Sequence, residues 1–373
     1  MVKIYLNGLK VRWQLYGFGK HFFVWLFIEP AYKAFTFTTL FLDKIFYPQY
    51  QNIKVKKPIF IIGHPRSGTT FLHKMLGHSE EAVKFKMWHI KIPSLFGRIL
   101  VRPLINRLRR KGATELLPKE TGHSVDLDKA EEEEILLTNI YDTQFVSGAI
   151  LGFGDREYPE MQWCDQQPDK ARFRATNFLK GCFQRQILAT GKHQIIAQMH
   201  FSTHRIKTLM EAFPDAKFIY IVRNPHQVVP SFFSLQHKAI DFRWGLKPIP
   251  ERLITRYNKR RYQAMIDLYR YFYDLQINRE ISEERVMVTH YDTLNSDLES
   301  TINKIIEFTG MSASDEMKGK IAVQAAKQKD YKPEHKTMSL EVFGITREQI
   351  DKDFSFVFEN YGLDKWHKLQ GNG

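Results

Sequence analysis

The chain has 373 residues, of which 43% are hydrophobic and 26% charged, an ordinary globular composition long enough to bury a large core in one domain or two. Its formal net charge of +14 favours an anionic partner, whether nucleic acid, a membrane surface or a phosphorylated small molecule. With only two cysteines, Cys164 and Cys182, it carries neither a disulfide framework nor a CxxC metal spacing, and no apolar run is long enough to predict a spanning helix.

Residues 1–50 are aromatic and basic, with Trp13, Phe18, Phe23, Trp25, Phe27 and Phe41 interleaved with Lys3, Lys10, Lys20 and Lys33. This pattern predicts a helical N-terminal extension that packs on the core, covers a greasy pocket or lies on a bilayer surface. The apolar stretch 22–28 is closed by Glu29-Pro30 without a small-residue cleavage site, so it does not read as a signal peptide.

Residues 59–62 (Ile-Phe-Ile-Ile) read as a buried strand. The Gly63-His-Pro-Arg-Ser-Gly68 turn follows, and then Phe71, Leu72, Met75 and Leu76 recur at helical spacing. A strand, a glycine-rich loop and a helix N-terminus together aim backbone N–H groups at an anion. Gly63-x-x-x-x-Gly68-Thr69-Thr70 has the glycine spacing of a nucleoside-triphosphate loop, but Thr69 stands where that loop carries lysine. Arg66, Ser67, Thr69 and Thr70 offer donors instead, which suits a group with several anionic oxygens and no metal.

Further along, 97–112 predicts a basic amphipathic helix with Val101, Leu104, Ile105 and Leu108 on its apolar face. In the acidic run from Asp126 to Glu134, Asp128 with Glu131 three residues on predicts a helix N-cap, and 143–170 reads as loop-rich. A helix is expected over 171–190. Three more strands are expected at 194–199, 217–222 and 285–289, with helices at 206–213, 251–281 and 298–309 and a tail from 330 that is basic at first and then amphipathic. Strands alternating with helices predict an α/β fold: P-loop-like, three-layered, a central parallel sheet flanked by helices, in one domain over 51–373. Arg223 ends the 217–222 strand and Ser231 lies in the helix behind it. Ligands of such sheets bind beyond the strands' C-terminal ends, so both residues are expected to hold a second phosphate beside the 63–70 loop.

Pro65-Arg-Ser-Gly-Thr-Thr70 resembles the 5′-phosphosulfate loop of sulfotransferases that use 3′-phosphoadenosine 5′-phosphosulfate (PAPS), in a broad, largely bacterial branch of that family. Arg223-Asn-Pro…Ser231 is similar to the family's 3′-phosphate motif, and Tyr291-Asp-Thr-Leu…Phe308-Thr-Gly310 and 338–344 add weaker likenesses, so the resemblance covers about 55–360. It implies transfer of a sulfuryl group from PAPS to an acceptor hydroxyl, releasing adenosine 3′,5′-bisphosphate without a metal. Arg66, Ser67, Gly68, Thr69, Thr70, Arg223 and Ser231 would hold the donor, with Arg66 also neutralising charge at the bond that breaks. Candidate general bases are His123, His89, Glu131 and Glu132. Where this branch is expected to carry Lys-Ser-Pro-x-His, the chain has His200-Phe-Ser-Thr-His204, so His200 or His204 is left to substitute. The aromatic N-terminus and the 97–112 helix point to a hydrophobic alcohol such as a sterol or other lipid, with peripheral contact on the inner face of the membrane of a cytoplasmic protein. The competing readings are a carbohydrate or glycolipid acceptor, a P-loop nucleotide kinase, or a basic binding protein on an inactive enzyme fold. No stretch resembles a nucleic-acid module.

Overall fold

The structure is a computed structural model that describes residues 1–328 and 337–365. The basic start of the expected tail falls at 329–336, outside the described residues. The chain groups into two compact units. The first comprises Met1–Val55, Val83–His193 and His237–Ile254; the second comprises Lys56–Ala82, Gln194–Gln236 and Thr255–Gly373.

The second unit is built on the parallel sheet. Its strands are β1 (Ile59–Gly63), β5 (Gln194–Gln198), β6 (Lys217–Val222) and β7 (Val286–His290), and β2 (Ala82–Val83) starts at the unit's edge. The order is β2-β5-β1-β6-β7. β1 pairs in parallel with both β5 and β6, Ile61 lying opposite Gln198 on one side and Ile219 on the other. All five residues of β1 are buried, as a strand covered on both faces requires. Alternate residues divide between two cores. Ile59, Ile61, Ile219 and Ile221 pack against Leu298, Ile302 and Ile305 of the helix Leu298–Thr309. On the opposite face Phe60 stacks on Phe218 at 5.2 Å and Tyr220 on Phe272 at 3.5 Å. The expected α/β fold is the one observed.

The first unit is mainly helical. Its longer helices are Val2–Tyr16, Glu29–Phe46, Leu95–Arg110 and Asp169–Thr190; β3 (Glu115–Leu117) and β4 (Val125–Asp126) form a small antiparallel ladder. Asp43 is its buried organiser. The carboxylate accepts from Ser94 Oγ (2.9 Å), from the N–H groups of Leu95 and Phe96, and from Arg185 Nε at 2.6 Å. It thereby caps the N-terminus of the helix Leu95–Arg110 from another helix, while Arg185 lies over the Tyr50 ring.

Two local expectations differ from the structure. Asp128 does not cap a helix: Met87 N and Trp88 N donate to the carbonyls of Lys129 and Leu127, and Glu131 N donates to Phe85 O, which ties 127–131 to a neighbouring segment. A 3-10 helix starts only at Glu133–Ile140, with Glu132 as its N-cap. In the helix Leu95–Arg110 the buried side is Leu95, Gly97, Arg98 and Ile105, and Leu104 is 57% exposed. Gly97 turns inward because its missing side chain lets Thr39 approach, a Cβ there meeting Thr39 Oγ1 at 3.0 Å.

Candidate active site

The loop at the C-terminal end of β1 departs from ordinary backbone at three positions. Gly63 has φ 126°, Arg66 φ 75° and Gly68 φ 97°. Gly63 must be glycine for a second reason, since a Cβ would lie 2.5 Å from the carbonyl oxygen of Ile221. Ser67 Oγ donates to His64 O (2.6 Å) and Thr203 Oγ1 accepts from Gly63 N (3.2 Å), which closes the turn from within. Gly68 is the N-cap of the helix Thr69–Leu76 and, having no side chain, does not itself cap the first-turn N–H groups that end at the loop.

Of the expected donors, Arg66, Thr69, Thr70, Arg223 and Ser231 lie together here, whereas Ser67 is fully buried and both its hydroxyl and its N–H donate to His64 O. Arg66 Nε donates to Ser231 Oγ at 3.0 Å, and Arg223 Nη1 donates to the Arg66 carbonyl at 2.8 Å. Two guanidinium groups from the loops after β1 and β6 and a serine hydroxyl from the helix Pro225–Trp244 thus share one end of the sheet. Ser231 accepts from Arg66 and keeps its own O–H to donate. The same logic applies to Thr69 and Thr70: Gln198 Nε2, at the end of β5, donates to both hydroxyl oxygens (3.3 and 3.0 Å) and leaves each O–H for an anion.

Sequence reasoning missed two supports. Tyr291, just after β7, lies under the Arg223 guanidinium at 3.7 Å, and it fills the space over Gly68, where a Cβ would come within 2.8 Å of its ring. Its Tyr-Asp-Thr-Leu motif was visible, but not its contact. Gln198 gave a weaker signal, an amide closing a strand whose centre is apolar.

The histidines separate by environment. His64 is buried, stacks on Tyr269 at 5.2 Å, and its Nδ1 lies 2.7 Å from the Pro65 carbonyl; burial pushes it down to about 3. His89 is half-buried. Its Nδ1 accepts from Lys86 N (3.4 Å) and lies 3.2 Å from the Gln186 amide, and burial, reinforced by the Arg98 charge, lowers it to about 3. His204 is fully buried against the Asp267 carbonyl and lowered by burial to about 4. His200 is 4% exposed and lies edge-on to Phe201. His123 differs from these: its ring is a quarter exposed, with Nε2 3.6 Å from Glu131 Oε2. His123, Glu131 and Glu132 each bring one ligand-type atom within 4.8 Å of the others, a grouping that sequence spacing did not reveal. These three residues and His89 belong to the first unit; Arg66, Arg223 and Ser231 belong to the second.

Comparison with known proteins agrees with this fold. A model of the Sulfotransferase family matches residues 58–315. Curated relatives named omega-hydroxy-beta-dihydromenaquinone-9 sulfotransferase Stf3, from Mycobacterium bovis and Mycobacterium tuberculosis, are 25% identical over 325 residues, covering 83% of this chain and 76% of theirs. Among solved structures, the fold is similar to sulfotransferase STF9 from Mycobacterium avium, with a TM-score of 0.69, 16% identity, and 87% of this chain and 82% of that one covered. It is also similar to sulfotransferase STF1 from Mycobacterium tuberculosis, with a TM-score of 0.68, 17% identity, and 95% and 90% covered.

Proposed function

Because the chain belongs to the sulfotransferase family, we propose that it uses PAPS as sulfuryl donor and passes the group to the hydroxyl of a hydrophobic, lipid-like alcohol. The single observation that carries the donor assignment is the Arg66–Ser231–Arg223 cluster beside a helix N-terminus that starts from Gly68. The residues present fit the donor: one set of hydroxyls and N–H groups for a 5′-phosphosulfate, and a second Arg/Ser pair for a 3′-phosphate. The missing loop lysine disfavours a nucleoside triphosphate.

In this reading Arg66 neutralises charge on the oxygen that leaves as the sulfur–oxygen bond breaks, and the loop holds the donor in line with the acceptor oxygen. Among the base candidates, His123 has the environment suited to the role. It is open to solvent on one side, and Glu131 can hold its ring and balance the imidazolium once it takes the acceptor's proton. Glu132 is the alternate base. His89, held in its neutral form inside the first unit by Lys86 and Gln186, acts as a positioning residue instead.

A hydrophobic acceptor is supported by the exposed aromatic surface of residues 1–46 and by the named acceptor of the Stf3 relatives, a hydroxylated dihydromenaquinone. No helix among the described residues is long and apolar enough to cross a membrane, so such an acceptor would be met at a bilayer surface. The test is transfer from sulfur-labelled PAPS, in the presence of chelator, to a panel of sterols, isoprenoid alcohols, long-chain alcohols and carbohydrates. Label should enter the hydrophobic alcohols. Label in carbohydrates alone would overturn the acceptor assignment, and phosphoryl transfer from ATP in place of sulfuryl transfer would overturn the donor assignment.

A further inference from the structure

The helix Glu29–Phe46 has its polarity reversed. Its buried residues are Thr36, Thr39 and Asp43, whereas Phe41, Ile45 and Phe46 are 60%, 57% and 56% exposed. The outward positions Phe27, Ala31, Ala34, Thr38, Phe41 and Ile45 recur at helical spacing and make one nearly unbroken apolar stripe. The helix Leu95–Arg110 packs beside it, Gly97 against Thr39 and Phe96 stacked on Phe46 at 5.1 Å. That neighbour repeats the reversal: Arg98 is 5% exposed while Ile99, Leu100 and Leu104 are 51%, 54% and 57% exposed. Six of the twenty-one large apolar side chains exposed among the described residues lie on these two helices (Phe41, Ile45, Phe46, Ile99, Leu100 and Leu104), so this is a concentrated surface and not a scatter.

The charge around the stripe is predominantly positive. Between Glu81 and Glu115 the sequence holds nine Lys and Arg and no acid. Residues 1–46 hold only two acids: Asp43 is fully buried and Glu29 accepts from the Tyr141 hydroxyl. Arg102, Arg107, Arg110 and Lys111 stand exposed on the helix that borders the stripe. Arg109 is already paired with Asp128. A second copy of the chain meeting this face symmetrically would set these cations against each other. A layer of anionic phospholipid meets both features at once, acyl chains for the stripe and phosphates for the arginines.

We propose that the face formed by the helices Glu29–Phe46 and Leu95–Arg110 docks on an anionic lipid bilayer, lying in its interface without crossing it. This goes beyond sulfuryl transfer and does not use it. Docking needs neither donor nor acceptor, so its failure and the failure of the enzymatic reading are separable.

The test is cosedimentation of the full chain with vesicles of phosphatidylcholine, with and without phosphatidylglycerol. The wild type should bind the anionic vesicles about tenfold more tightly than the neutral ones and release at high salt. Phe41→Ser with Ile45→Ser should weaken binding about tenfold or more. Arg107→Glu with Arg110→Glu should abolish the preference for phosphatidylglycerol. All four positions are exposed, so each double variant should keep the wild-type circular dichroism and melting temperature. A wild type that stays in the supernatant, or a Phe41→Ser/Ile45→Ser variant that sediments like wild type, would overturn the proposal. So would a solution dimer in which Phe41 and Leu100 are protected from labelling.

Discussion

Arg66 occupies a left-handed backbone conformation that costs a non-glycine residue about 1–2 kcal/mol. It is held there from both ends, by Arg223 on its carbonyl and Ser231 on its side chain. That arrangement stabilises a position for the guanidinium instead of a relaxed chain, which is expected where a side chain must meet developing charge. Replacing Arg66 with Ala should lower kcat/KM by about 10²- to 10³-fold with a near-native melting temperature. Arg66→Lys should recover only part of the loss, because a point charge does not reproduce the fork. Steady-state kinetics with PAPS check this, and an Arg66→Ala enzyme with wild-type kcat/KM would remove Arg66 from the chemistry. The histidines give a paired prediction. His123→Gln should lose turnover and keep stability. His89→Ala should lose stability first, because it leaves Lys86 N and the Gln186 amide without their shared partner. Thermal melts beside kinetics for the two variants distinguish the roles.

At the level of elements, the join between β1 and the helix Thr69–Leu76 is the least tolerant part of the site. Gly68 combines φ 97° with the Tyr291 ring 2.8 Å from where a Cβ would sit. Gly68→Ala should destabilise by about 1–3 kcal/mol and displace Tyr291 from beneath Arg223, weakening adenosine 3′,5′-bisphosphate binding as well. Denaturant melts and titration of the product nucleotide test the two effects together. The buried strands were legible because continuous apolar runs such as 59–62 and 217–222 have few other uses. In the folded chain Arg223 and Ser231 each hydrogen-bond Arg66. The helices Glu29–Phe46 and Leu95–Arg110 were legible as helices but not in orientation. Periodicity assigns apolar side chains to the interior, whereas here Asp43 and Arg98 have buried partners that outrank them: Arg185 and the N-terminus of Leu95–Arg110 for the first, Gln186 for the second. The 126–134 run failed for a different reason. Its backbone pairs with 85–88, a long-range choice that no local helix-start signal encodes.

For the molecule as a whole, the buried histidines set an acid limit. His64, His89 and His204 are lowered by burial to about 3, 3 and 4 in the fold, against an ordinary value near 6.5 in the unfolded chain. The unfolded state therefore binds more protons below pH ~6.5, and stability falls as pH is lowered from there towards ~4, by up to about 1.4 kcal/mol per pH unit for each histidine. Above pH ~6.5 this contribution is fully present. Urea midpoints measured across this range should drop steeply for the wild type and less steeply for a His204→Gln variant. A flat profile would mean these rings are charged or solvated in the fold.

The central claim is that the loop after β1, with Arg66, Arg223 and Ser231, is built for a nucleotide carrying a 3′-phosphate. Calorimetric titration with adenosine 3′,5′-bisphosphate in the presence of chelator tests it most directly. The wild type should bind it without metal and bind ADP at least about tenfold more weakly, whereas Arg223→Ala should abolish most of that difference. Equal affinity for ADP and the bisphosphate, or a preference for the bisphosphate unaffected by Arg223→Ala, would contradict the assignment.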